Sequence, residues 1–136
     1  MKKVYFACSI RGGGDKSIYP ALVKSIKQHA ELLSEIFIAD GLNLNGSSLP
    51  ERNIWTRDME WVKNADAIIA EVSNPSLGVG YEIAKAEEWG KPVLCLFRPI
   101  DGRKLSAMVA GSPTVTVVEY TEVTAAVEAI KSFLEA

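Results

Sequence analysis

The sequence predicts an α/β fold: a five-stranded, doubly wound parallel sheet, Rossmann- or flavodoxin-like, with strand order 2-1-3-4-5. Three observations carry that expectation. Five short apolar segments, at residues 3–8, 34–39, 67–72, 92–97 and 114–119, alternate with helix-patterned stretches at 16–33, 51–65, 81–89 and 121–134. The first, third and fourth apolar segments are nearly unbroken, as expected of strands covered on both faces. The connections between them are short enough for successive βαβ units.

In chain order, Met1-Lys2-Lys3-Val4-Tyr5-Phe6 enters the first strand directly, without the apolar core and small-residue cleavage site of a signal peptide. A glycine-rich turn, residues 9–15, leads to the first helix, where the lone His29 reads as solvated. Residues 40–50, with Gly41, Asn43, Asn45, Gly46, Ser47 and Ser48, form the longest loop signal, either a lid or a mobile connection. Ala65-Asp66 and Gly90-Lys91-Pro92 mark returns from helix to strand, and a further helical turn is expected at 104–109.

A length of 136 residues suits one domain spanning 1–136 with a substantial core, and 48% apolar with 24% charged residues is a globular composition. The net charge of −2 provides no field for a nucleic-acid polymer or an anionic membrane. The apolar runs are strand-sized, too short for a membrane span. A cytoplasmic location is the default expectation. Cys8 and Cys95 fall in strands with one strand between them, roughly 10 Å apart, too far for a disulfide. They read as buried thiols in a reducing compartment, and neither a metal nor any other cofactor is expected.

The most informative segment is residues 73–82, Ser-Asn-Pro-Ser-Leu-Gly-Val-Gly-Tyr-Glu. It follows a strand and opens a helix, so Gly78 and Gly80 offer close backbone approach and Glu82 is delivered at the helix start. Such a carboxylate at the mouth of a parallel sheet suits attack on a sugar carbon; the competing reading is stabilisation of a helix start by its dipole. Asp58 falls within the apolar stripe Ile54, Trp61, Val62 and Ala65, where an acid is costly unless partnered or used. It reads either as hydrogen-bonded to Arg57 or backbone, or as a second catalytic carboxylate.

Arg11, Arg98 and Arg103, three of the five arginines, fall in loops on one rim, beside hydroxyls, glycine amides and a helix N-terminus. That collection suits a phosphate. Residues 9–15 fit neither G-x-G-x-x-G nor the Walker pattern, which favours one phosphate on a small ligand over a dinucleotide or triphosphate. Trp55, Trp61 and Trp89 read as helix packing, with one of the first two also able to stack on a base.

Taken together, Tyr5-Phe6 with Ser9-Ile10-Arg11-Gly12-Gly13, Asp58-Met59-Glu60-Trp61, the run from Ala70 to Glu82, and residues 94–99 continuing to Leu105-Ser106-Ala107-Met108 mark a resemblance. The chain resembles the 2′-deoxynucleoside 5′-phosphate N-hydrolases, within the wider nucleoside 2-deoxyribosyltransferase-like group. The resemblance covers nearly the whole chain. It implies hydrolysis of the N-glycosidic bond of a deoxynucleotide, with Glu82 as nucleophile, Asp58 as the acid that helps protonate the leaving base, and Tyr5 orienting Glu82 and crowding the 2′ position. It implies substrate or phosphate contacts from Ser9, Ile10, Arg11, Gly12, Gly13, Ser76 and Gly78. Ser106 would reach the phosphate of the partner subunit in a homodimer. The sequence departs from the family pattern at Ala7, where glycine is common, and at Ile36, where vertebrate members tend to carry histidine. The rival activities are transfer of the deoxyribosyl group to a second base and non-catalytic nucleotide binding.

Overall fold

The computed structural model describes residues 1–10, 15–34 and 50–136. They hold five strands, β1 (Lys3–Ala7), β2 (Glu31–Leu32), β3 (Ala67–Glu71), β4 (Val93–Phe97) and β5 (Val115–Glu119). Five helices accompany them: α1 (Tyr19–His29), α2 (Glu51–Asn64), α3 (Leu77–Glu88), α4 (Ala107–Ala110) and α5 (Val123–Glu135). The strands pair in the order β2-β1-β3-β4-β5, every pair parallel, which is the topology the alternation predicts.

Strand periodicity divides the core into two layers. Val4, Phe6, Ile69, Leu94 and Leu96 point to one face, where Leu22 and Ile26 of α1 and Ala126, Ile130 and Leu134 of α5 cover them. Tyr5, Ala7, Ile68, Ala70, Val93 and Cys95 point to the other, beneath Met59 and Val62 of α2 and Val79, Ile83 and Ala86 of α3. Ala7 is thus a packing residue under α2 and α3. Cys8 and Cys95 are free thiols and belong to opposite layers.

The largest departures from the expected boundaries lie at two places. The first helix stops at His29 because the next residues pair with β1: Glu31 N–H donates to the Lys2 carbonyl and Leu33 N–H to that of Val4, each at 2.9 Å. Tertiary pairing overrides helical pattern there. The second strand therefore begins at Glu31 rather than Ser34. Ser34 continues the edge with its side chain, its hydroxyl accepting from Phe6 N–H at 3.1 Å and donating to the Phe6 carbonyl at 3.2 Å. The remainder of the expected strand, and residues 40–49 of the long loop, lie outside the described residues.

The second difference is α3, which begins at Leu77 and so takes in both Gly78 and Gly80. Ser76 supplies the missing start signal: its Oγ accepts from Val79 N–H at 3.3 Å, an N-cap that offsets the poor helix propensity of glycine. At the far end Gly90, at φ +72°, donates to Glu87 while Lys91 donates to Ala86, the paired bonds of a Schellman stop. Among the described residues no helix is long and apolar enough to cross a membrane.

Candidate active site

Because the strands are parallel, their C-terminal ends deliver Ser9-Ile10, residues 72–76 and residues 98–106 to one edge of the sheet. Tyr5 enters from beneath. Its position on β1 turns it towards α2 and α3, where its ring is fully buried and lies 6.3 Å from that of Trp61. A buried tyrosine hydroxyl needs a partner, and this one donates to Oε2 of Glu82. Glu82 is the sixth residue of α3, beyond the first turn, so the helix dipole does not account for it.

Asp58 reaches the same place from α2 and is only 8% exposed. Arg57 donates from Nε to Asp58 Oδ1 at 3.1 Å, and its guanidinium lies over Trp61, 4.9 Å from the ring centroid. The structural partner weighed for Asp58 is therefore present. Even so, the electrostatics join the acids: burial first, and then the charge of Asp58, push Glu82 up to about 8, while the Tyr5 hydroxyl pulls it down. Burial also raises Asp58, opposed by Arg57. Tyr5 is raised by burial, then by the charges of Glu82 and Asp58. The three side chains form one coupled group, two carboxyls beside a phenol, in which Glu82 can hold or release a proton near neutrality.

The expected anion contacts are placed unevenly. Ser9 is buried, and its Oγ has no hydrogen-bond partner among the described residues. A buried hydroxyl left over at a strand end suits a ligand oxygen. Ile10 packs into the core, so it can meet a ligand only through its backbone, whose carbonyl accepts from Lys16. Arg11, Gly12 and Gly13 lie outside the described residues. Ser76 caps α3, and the space above Gly78 is open: an added Cβ would meet only Ser76 Oγ, at 3.9 Å. No other atom of the described residues crowds that approach.

The two rim arginines among the described residues have partners within the chain. Arg98 pairs with Asp15 at 3.1 Å, and Arg103 donates to Asn74 Oδ1 at 3.3 Å. Ser106 is exposed and caps α4, accepting from Met108 N–H at 3.2 Å. It lies apart from the carboxyl group, in a groove of about 1360 Å³ bordered by Ser76, Leu77, Gly80, Arg103 and Met108. That groove lies along a different face of α3 and is not lined by Tyr5, Asp58 or Glu82. The chemistry is better placed at the coupled carboxyls than in this wider hollow. At the outer edge, half-exposed Trp55 donates its indole N–H to the Tyr81 hydroxyl at 3.1 Å, bridging α2 and α3.

Sequence reasoning missed two features. Arg57 and Trp61 stand i, i+4 on α2, a spacing that signals their stacking and could have been read. The buried Glu71 with its hydroxyl partners carries no such local signal, since Tyr120 reaches it from 49 residues away.

Against known proteins, residues 4–121 match the family described as nucleoside 2-deoxyribosyltransferase. The 5-hydroxymethyl-dUMP N-hydrolase of Danio rerio is 43% identical over 124 residues, covering 88% of this chain and 87% of that protein. Among solved structures, BlsM superposes with a TM-score of 0.75 at 18% identity, over 98% of this chain and 89% of its own. The CMP N-glycosidase BcmB of Clostridium botulinum gives 0.68 at 18% identity, over 96% and 99%. These two structures share the fold, while the family match and the identity to the fish protein carry the relationship itself: the chain belongs to the nucleoside 2-deoxyribosyltransferase family.

Proposed function

We propose that this protein, acting as one domain, hydrolyses the N-glycosidic bond of 2′-deoxynucleoside 5′-monophosphates, giving free base and 2-deoxyribose 5-phosphate. The observation that carries the reading is the coupled group of Tyr5, Asp58 and Glu82 at the sheet edge. The activity named for the 43% identical relative agrees with it.

Burial favours the proton on Glu82, and the reactive arrangement is the one in which the proton sits on Asp58 instead. Positive charge growing on C1′ as the base departs reverses that preference, so the anion is stabilised most in the transition state. A Glu82 carboxylate oxygen then bonds to C1′ as the C1′–N bond breaks, and the electron pair leaves on the base nitrogen. Asp58 supplies the proton that neutralises the base. Water next attacks C1′, frees Glu82 and returns a proton to Asp58, as in retaining glycosidases. Tyr5 orients Glu82 and narrows the space beside the 2′ carbon. Ser9 Oγ, the Ile10 backbone, Arg11, Gly12, Gly13, Ser76 and Gly78 hold the substrate and its 5′-phosphate, anchoring it for the reaction.

The active form is a homodimer in which Ser106 completes the partner's phosphate site. Leu77 is 97% exposed and Met108 84%, and both border the groove that contains Ser76 and Ser106. Apolar side chains so exposed around a hollow suit contact with a second copy. The buried free thiols fit a cytoplasmic setting.

A panel of deoxynucleoside and ribonucleoside monophosphates, scored chromatographically for free base, tests the reading. Release from deoxynucleotides with sugar phosphate as co-product is expected. An excess of a second base tests the rival suggested by the family's description: a new nucleotide would show transfer instead of hydrolysis.

A further inference from the structure

Glu71 is the last residue of β3 and only 1% exposed. A carboxylate is an expensive occupant there, for the four strand residues before it, Ala67 to Ala70, are buried and apolar. Both of its oxygens are hydrogen-bonded. Oε1 accepts from Ser73 N–H at 2.7 Å, while Oε2 accepts from Ser73 Oγ at 2.9 Å and from the Tyr120 hydroxyl. Ser73 Oγ in turn accepts from Arg98 N–H at 2.8 Å. One buried acid thus ties the start of the 73–82 segment to the ends of β4 and β5.

The next residue extends the linkage. Asn74 donates from Nδ2 to the Asp15 carbonyl at 3.0 Å and to the Tyr19 hydroxyl at 3.4 Å, and accepts from Arg103. Arg98 holds the Asp15 carboxylate at 3.1 Å. Ser73 and Asn74 therefore join Asp15 on one side to the Ser76 cap, two residues beyond Asn74, on the other.

We propose that Glu71 is a positioning residue for the 5′-phosphate, acting through Ser73 and Asn74 to set Ser76 without touching the substrate. It rests on the proposed deoxynucleotide hydrolysis. An anionic side chain so near an anion site is tolerable because three hydrogen bonds enclose it, and those bonds are strong because their acceptor is charged. Disturbing them loosens the phosphate anchor and leaves Tyr5, Asp58 and Glu82 in place.

The test compares Glu71→Gln and Tyr120→Phe with the wild type in steady-state kinetics on a deoxynucleoside monophosphate. Inorganic phosphate serves as competitive inhibitor, and its binding is followed by calorimetry. Glu71→Gln should raise KM and the phosphate inhibition constant together, roughly ten- to hundredfold, as expected for losing hydrogen bonds to a charged group. Its kcat should stay within about threefold of wild type, the mark of lost uniform binding. Tyr120→Phe, which deletes one donor, should move both constants the same way by a smaller factor. Unchanged KM and phosphate affinity in the folded variants, or a fall in kcat alone, overturns the proposal. If Glu71→Gln does not fold, Tyr120→Phe decides alone. If the wild type releases no base, the proposed function fails, whereas calorimetry with phosphate still decides the role of Glu71.

Discussion

The Tyr5 hydroxyl donates to Oε2 of Glu82 across 77 residues of sequence, joining the second layer of the core to the candidate chemistry. Because this bond lowers the pKa of Glu82 against a larger rise from burial, it tunes when the carboxylate is available. If the Glu82 anion is the reactive form and Asp58 must carry the proton, kcat/KM should be bell-shaped in pH, with the midpoint of its alkaline limb near 8. Tyr5→Phe removes the stabilising donor, so its midpoint should move to higher pH and its rate at neutrality should fall. A pH–rate profile of both proteins checks this; an unmoved midpoint would separate Tyr5 from Glu82.

Glu82→Gln should suppress base release by roughly a thousandfold or more while the fold persists. Folding raises the pKa of Glu82 from 4.5 to about 8, so the native state retains a proton that the unfolded chain gives up. The associated stability is fully present below the unfolded value and is lost as pH rises through the folded one. The variant, neutral at every pH, should gain on the wild type by roughly 4 kcal/mol near pH 8 and by little near pH 4.5. Denaturant melts at the two pH values would show it.

Asp58→Asn should lower kcat by roughly a hundredfold or more with little change in KM, as loss of a general acid does. Substrates whose base departs readily without protonation should be affected less. An equal loss across leaving groups would remove Asp58 from the proton-donating role.

The sheet order, both helical layers and the placing of Tyr5, Asp58 and Glu82 on adjoining elements were legible because periodicity and strand order act over short windows. Asp58 stood out as an acid within an apolar stripe. What escaped reading depends on distant partners. Glu31 leaves the helical pattern because β1 offers it a carbonyl, and α3 begins early because the hydroxyl of Ser76 captures an amide. Likewise Arg98 and Arg103 looked available for an anion until Asp15 and Asn74 were seen beside them.

Gly78 has ordinary room for a methyl group, so Gly78→Ala should fold and stabilise α3 by up to about 0.5–1 kcal/mol. If substrate approaches over this glycine, KM should rise in the same variant. Thermal melts and kinetics should therefore move in opposite directions, more stable and less effective. A variant that gains stability at unchanged KM would free Gly78 of any substrate contact.

Leu77→Asp should yield a monomer by light scattering and lose activity if Ser106 works across an interface. Mixing offers a sharper check. Glu82→Gln and Ser106→Ala, each impaired alone, should recover activity on subunit exchange, since one site of the mixed dimer then holds an intact Glu82 and an intact serine from its partner. No recovery from freely exchanging subunits would place Ser106 in its own protomer's site or in none.

The sheet also acts as a wall between two sulfur atoms. Cys8 and Cys95 occupy opposite layers, and burial, followed by nearby carboxylates, raises each thiol to about 12. Alkylating reagents should therefore find almost nothing to react with in the native protein. Labelling at Cys8 reports opening beneath α1 and α5, and labelling at Cys95 reports opening beneath α2 and α3. The molecule thus carries a built-in pair of probes, one for each half of its interior, with which to ask whether the two sides come apart together.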